Sequence, residues 1–422
     1  MPEYGAGGFT ASGASPTESA APEDDGSRAV IDVHHHFCAP EWREWGEARG
    51  LVNPRALPPW AHWDAESALA LMDRAGIATA VLKPMLPARY ESSAQLREAV
   101  TVTLRAAAEA AEAHPGRFFF HAPLFLEDPE VSSWTLRHGL DELGAVGVNV
   151  TANHGGVYLG DPSYDRIFAE LDERAAVVDT HPHNLPAGPP AGAGGPHAAG
   201  GGPGAAGAAG AADRPGARTP DGRPGAGGPG ADRPGTGGPG DGRPGTGRPG
   251  GPGVPRVSAP AGGPGAGGPP GATVPGVPNF LCDFLLDTTR AAANMIRNRT
   301  LDRFPDLSVI LPHGGGFLPH IATRLEAFAG SFDPPVEPAA VRDHLHRFYY
   351  DTAGPMSPAG TLLATVDPAR ILFGSDWPAC PADVVVDLAV PALAADPALT
   401  PALRRAVNRE NALRLMPRLV PA

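Results

Sequence analysis

Lysine is all but absent from this chain: Lys83 is the only one in 422 residues, and arginine carries the rest of the basic charge. The 33 basic residues face 46 acidic ones, a formal charge of −13. That balance offers no basic stripe to a phosphate backbone and argues against nucleic acid as a partner. Cysteine is scarce too. Cys38, Cys282 and Cys380 are odd in number and form no CxxC pair, so a reducing compartment is expected rather than a disulfide framework. No apolar run approaches the roughly 18 residues of a membrane span. Residues 1–28 lack the basic start and apolar stretch of a secretory signal. They read as a disordered tail rich in Gly, Ser, Ala and acid. The expected location is cytoplasmic, with no membrane partner.

Glycine and proline, by contrast, are in excess, at 55 and 51 residues. Much of that excess lies in 186–278, where Asp-Arg-Pro-Gly and Gly-Gly-Pro-Gly units recur without a strict period. Almost nothing there can be buried to offset the entropy of ordering, so the segment reads as a disordered insertion in one loop. Long loops add little closure entropy, and a folded domain tolerates them. The remaining residues, 29–185 and 279–422, hold the apolar runs of a sizeable core.

Those runs alternate between strand and helix. Ala29–Phe37 opens with a short β-branched strand, and Trp42, Trp45, Trp60 and Trp63 follow in or beside a long loop over 38–62. These rings either cap the end of the domain or line a pocket for a flat substrate. Asp64 caps a helix that stops at Gly76, and further strands are expected at 78–83, 118–122, 147–151, 176–180, 307–311, 348–351 and 370–373. Helices are expected between them, at 93–113, 131–143, 164–174, 288–298, 317–329 and 358–366, with terminal helices reaching Met416. Eight strands, each followed by a helix, make a TIM (β/α)8 barrel, with the insertion after strand 5.

The chemistry is marked by position. His34 and His36 follow the first strand two residues apart, so strand alternation points both the same way and His35 the opposite way. His181 ends the fifth strand, His313 follows the sixth and Asp376 the eighth. In such a barrel all those ends face one mouth. Lys83, at the end of strand two, either points into that mouth as an anchor for a carboxylate or snorkels at its rim. His183 reads as a loop histidine.

Seven stretches together resemble the amidohydrolase superfamily, and within it the decarboxylase branch related to aminocarboxymuconate semialdehyde and 6-methylsalicylate decarboxylases. They are Ile31-Asp-Val-His-His-His36, Gly155-Gly-Val-Tyr-Leu-Gly-Asp-Pro162, His181-Pro182, Leu286-Asp-Thr-Thr-Arg290, Thr300-Leu-Asp-Arg-Phe-Pro-Asp306, His313-Gly-Gly-Gly316 and Leu372-Phe-Gly-Ser-Asp-Trp-Pro378. The resemblance implies that His34, His36, His181 and Asp376 bind one divalent metal, zinc or alternatively manganese. It also implies that His313 is an acid/base residue beside the metal, with Asp376 as the other candidate proton source. Relatives with two metals carry a bridging lysine on the fourth strand, whereas here that strand ends Asn149-Val-Thr151. The implied activity is non-oxidative decarboxylation of a small aromatic or unsaturated carboxylic acid. Metal-dependent hydrolysis of an amide, ester or lactone is the alternative on the same barrel, and a homodimer is compatible with either. A catalytically idle scaffold would need no such ligand set.

Overall fold

A computed structural model of the protein describes residues 29–86, 89–183, 276–354 and 359–419. The insertion expected over 186–278 lies outside them except for its last three residues, and the expected N-terminal tail lies outside them entirely.

Eight parallel strands follow one another in hydrogen-bonded order: β1 (Val30–Phe37), β2 (Ile77–Pro84), β3 (Phe118–Pro123), β4 (Gly147–Thr151), β5 (Val177–His181), β6 (Ser308–Leu311), β7 (Tyr349–Asp351) and β8 (Ile371–Leu372). Every residue of β1 is buried, as expected when a parallel sheet is covered on both faces. The last strand meets the first through the backbone. Val33 N–H donates to the Phe373 carbonyl at 3.0 Å, Asp376 N–H to the His34 carbonyl at 3.0 Å, and His36 N–H to the Trp377 carbonyl at 2.7 Å. This seam makes the sheet a (β/α)8 barrel.

Helices cover the outside. α1 (Pro40–Ala48) takes up nine residues of the expected 38–62 loop, with two 3₁₀ turns after it. α2 (Ala65–Ala75) is capped by Asp64, whose side chain accepts from Ser67 N–H, and ends at Gly76 with φ 71°. α3 spans Ser93–Ala113 and is capped by Ser92. α4 (Pro129–Thr135) continues as a π-type turn to Glu142, and α5 is Asp165–Asp172. α6 (Asn279–Arg297) begins nine residues before the expected start at Thr288. α7 (Leu318–Ala327) is followed by α8 (Pro338–Arg347), a helix the sequence reading left out.

Most of the core lies between sheet and helices. A second apolar cluster fills the barrel itself, where Ile31, Val33 and Val81 meet Val177, Ile310 and Leu372, closed off by Met416 and Leu419. This dry plug leaves the opposite end, where the strands' C-terminal residues converge, for polar groups. No helix among the described residues is long and apolar enough to cross a membrane.

Candidate metal centre

β1 does not run straight through its histidines. Asp32 pairs with Ala80 and His35 with Leu82, so one extra residue bulges out between them. The bulge brings Asp32 and His35 together, with His35 Nδ1 3.1 Å from Asp32 Oδ2. The Asp32 carboxylate also accepts from Ser375 N–H at 2.9 Å, which fastens the turn after β8. His34 and His36 remain on the mouth side.

There the four expected ligands converge. One donor atom each from His34, His36, His181 and Asp376 lies within 4.8 Å of all the others. His36 Nε2 is 3.0 Å from Asp376 Oδ1, and His34 Nε2 is 3.4 Å from both of those atoms. The rings of His36 and His181 meet edge-on at 4.8 Å. Hydrogen bonds behind the rings set their orientation. His34 Nδ1 lies 2.8 Å from the buried Asp351 carboxylate, and His181 Nδ1 lies 2.7 Å from the Pro182 carbonyl. Both acceptors require the proton on Nδ1, leaving the Nε2 lone pairs facing the cluster. His36 Nδ1 is buried without a hydrogen-bond partner. Three imidazole nitrogens and a carboxylate oxygen in this arrangement fit a divalent cation.

The electrostatics agree with the ligand role. Burial pushes the His36 imidazole down to about 4, and burial with the like charges around it carries His181 well below its ordinary range. Both are therefore neutral donors at pH 7. Burial and Lys83 push His34 down, but the Asp351 carboxylate outweighs them and the net direction is up. Burial pushes Asp376 up, yet His313 and His36 hold it well below the usual carboxylate range.

His313 stands beside this set. Its Nε2 is 3.7 Å from Asp376 Oδ1, its backbone N–H donates to Asp351 Oδ1 at 2.8 Å, and its ring is partly exposed. Its φ of 53° and that of Asp376, 63°, are both left-handed. Strain of this kind persists only where surrounding contacts impose it. Here the turn is pressed onto α6: a Cβ on Gly316 would lie 2.2 Å from the Leu285 carbonyl, so only glycine fits. Likewise a Cβ on Gly374 would meet His34 Cβ at 2.8 Å.

Lys83 does not snorkel at the rim. It is fully buried, 2.9 Å from Asp179 Oδ1 and 3.1 Å from the Thr180 carbonyl. Trp42 and Trp63 are core, donating to Tyr90 and His35, while half-buried Trp60 stands 6.0 Å from the His36 ring. His183 is an exposed loop histidine whose backbone N–H donates to Asp287. Sequence reasoning missed Asp351, Asp32 and the Lys83–Asp179–His121 group. The signal was available for Asp351, an acid ending an apolar strand, the same positional mark the histidines carry.

Residues 31–418 match the family model described as amidohydrolase. The chain is 25% identical over 371 residues to a decarboxylase, macB, of Penicillium terrestre, covering 84% of this chain and 86% of that protein. It is also 25% identical over 404 residues to the 6-methylsalicylic acid decarboxylase acuB of Aspergillus aculeatus, covering 92% and 96%. Among solved structures it resembles a dihydroxybenzoic acid decarboxylase from Polaromonas sp. JS666, determined with bound manganese and the inhibitor 2-nitroresorcinol. That likeness has a TM-score of 0.61 at 18% identity and spans 92% of this chain and 97% of the other, which supports the fold.

Proposed function

The chain belongs to the amidohydrolase family, and from that membership and the geometry of the mouth we propose that it is a metal-dependent, non-oxidative decarboxylase of an aromatic or unsaturated carboxylic acid. The observation that carries this reading is the convergence of His34, His36, His181 and Asp376 with His313 at their edge. The two fungal relatives, both named decarboxylases and matched over most of their length, support the reaction class. Three imidazoles and a carboxylate suit zinc. Manganese is the alternative, as in the Polaromonas structure.

When bound, the ion supplies a Lewis-acid template for the substrate carboxylate. The protein's own groups do the rest. Cleavage of the bond to the carboxylate leaves its electron pair on carbon, and that carbon must take a proton as carbon dioxide departs. His313 Nε2, partly exposed and next to Asp376, is placed to hand over that proton. Asp376 is a ligand well below the usual carboxylate range, so it serves better as acceptor than as donor. Trp60, beside His36, offers a flat face for the ring of the substrate and shields it from water. A cytoplasmic location and a homodimer are part of the same reading.

The test is a panel of 6-methylsalicylate, dihydroxybenzoates and related acids assayed for carbon dioxide release, with metal content measured on the same sample. His34→Ala and Asp376→Ala are expected to lose the ion and the activity while remaining folded. Full metal occupancy in both variants would refute the ligand set. Turnover of amides, esters or lactones in place of the acids would refute the reaction class.

A further inference from the structure

Directly behind the ligands lies a second polar cluster that the proposed reaction does not use. Lys83 Nζ reaches from β2 to β5, 2.9 Å from Asp179 Oδ1 and 3.1 Å from the Thr180 carbonyl. It also lies 3.4 Å from Nδ1 and 3.5 Å from Nε2 of His34. On the far side of the same carboxylate, His121 Nδ1 is 3.3 Å from Asp179 Oδ2. Lys83, Asp179, His121 and His34 are each fully buried. Neither ring nitrogen of His121 has a hydrogen-bond partner among the described residues, and neither Asp179 oxygen makes a contact other than these ion pairs.

Apart from the ammonium, this is a cation site. A carboxylate oxygen and a backbone carbonyl both lie within 3.1 Å of one spot, with His121 on the other side of the carboxylate, and hard oxygens of this kind also suit manganese or magnesium. The spot is also close to the metal centre. An ion held by His34 Nε2 at ~2.1 Å would sit within about 5.6 Å of the Nζ position. Pairs of catalytic ions in two-metal sites are ~3.5–4 Å apart, a spacing that falls inside that upper limit. Buried charges persist when paired, and among the described residues Lys83, with His121 on the far side, pairs with Asp179.

Building on the metal reading above, we propose that Lys83 is a tethered monovalent cation that occupies a second cation position and thereby limits this centre to one divalent ion. Unlike a metal, it cannot dissociate, and its like charge repels a second divalent ion at close range. Lys83 is a positioning residue. It touches Asp179, Thr180 and His34, and it is fully buried.

The experiment compares full-length wild type with Lys83→Ser, Lys83→Met and the double variant Lys83→Ser/Asp179→Asn, each stripped of metal and reloaded with Mn2+. Ions per chain are counted by mass spectrometry, and spin coupling is read by electron paramagnetic resonance. Wild type is expected to saturate at one uncoupled ion, and Lys83→Ser at two coupled ions. The double variant should return to one. Lys83→Met preserves side-chain volume, and it should hold its ion about tenfold more tightly because the like charge is gone. One uncoupled ion in Lys83→Ser, two in wild type, or weaker binding in Lys83→Met overturns the proposal. No ion in any of the four proteins overturns the metal reading beneath it.

Discussion

Replacing Asp351 with asparagine tests the hydrogen-bond scaffold of the metal centre at one atom. Oδ1 of Asp351 accepts the backbone N–H groups of His313 and Ala353 at 2.8 and 3.0 Å, while Oδ2 lies 2.8 Å from His34 Nδ1. The asparagine carbonyl can retain both backbone bonds, which should preserve the fold. Its amide nitrogen then faces His34 Nδ1, where it can only donate. His34 must accept at Nδ1, which moves its proton to Nε2, the atom that faces the other ligands. Burial pushes the Asp351 carboxyl up, but His34 and the other nearby cations carry it from 3.8 down to about 2, so it stays a carboxylate that accepts from His34. Losses of 10–100-fold in metal affinity are typical when such a partner is removed, or ~1.4–2.7 kcal/mol. We expect Asp351→Asn to bind zinc or manganese ~50-fold more weakly, measured by competition with a chromophoric chelator at pH 7.5 and with a melting curve in chelator as the control for folding. An affinity within about threefold of wild type, in a protein that melts normally, would show that this bond does not govern the ligand.

Three further outcomes follow from the same geometry. His313→Asn should keep its metal but turn over ~10²–10⁴-fold more slowly, with loss of one limb of the pH–rate profile. Release of the metal instead would make His313 a ligand. Gly374→Ala forces a Cβ to 2.8 Å from His34 Cβ and 3.1 Å from Ala353 Cβ. It should cost ~1–3 kcal/mol in urea unfolding and weaken metal binding, and a neutral result in both would mean that the seam yields easily. Finally, burial lowers His36 from 6.5 to about 4. In metal-free protein this group contributes stability above pH 6.5 that is lost as the pH falls toward 4, because the unfolded chain takes up the proton first. His36→Gln should flatten that decline by up to ~1.4 kcal/mol per pH unit, and an unchanged slope counts against it.

The strand-and-helix order was legible because it depends on local spacing, and the residues that converge at the mouth were marked by their places at strand ends and by the family resemblance. The apolar run that makes β1 also places His34 and His36, and Ser92 with the Ala-rich stretch after it makes α3 readable end to end. What escaped depends on partners distant in sequence. Asp287 has the chemistry of a helix cap, yet its carboxylate accepts from His183 N–H and Asn153 Nδ2 instead, and α6 runs past it from Asn279. α1 has no capping side chain, so its local marks are only Pro40 at its start and Glu41 in its first turn. Asp179 lies within an apolar strand, and only the barrel's closure brings Lys83 and His121 to it. The bulge in β1 is legible only once β2 is laid alongside.

The seam between β1 and the turn after β8 also sets a schedule. Asp376 reaches the histidines through bonds between residues some 340 positions apart. At ~5–20 residues per second, a ribosome that has made His34 needs roughly 20–70 s more before Asp376 exists. Throughout that interval the nascent chain presents imidazoles without their carboxylate. A compact motif, such as a zinc finger, can use its ion to start folding. On the metal reading proposed above, the full ligand set exists only after the last strand has docked, so the ion would complete assembly and would not nucleate it.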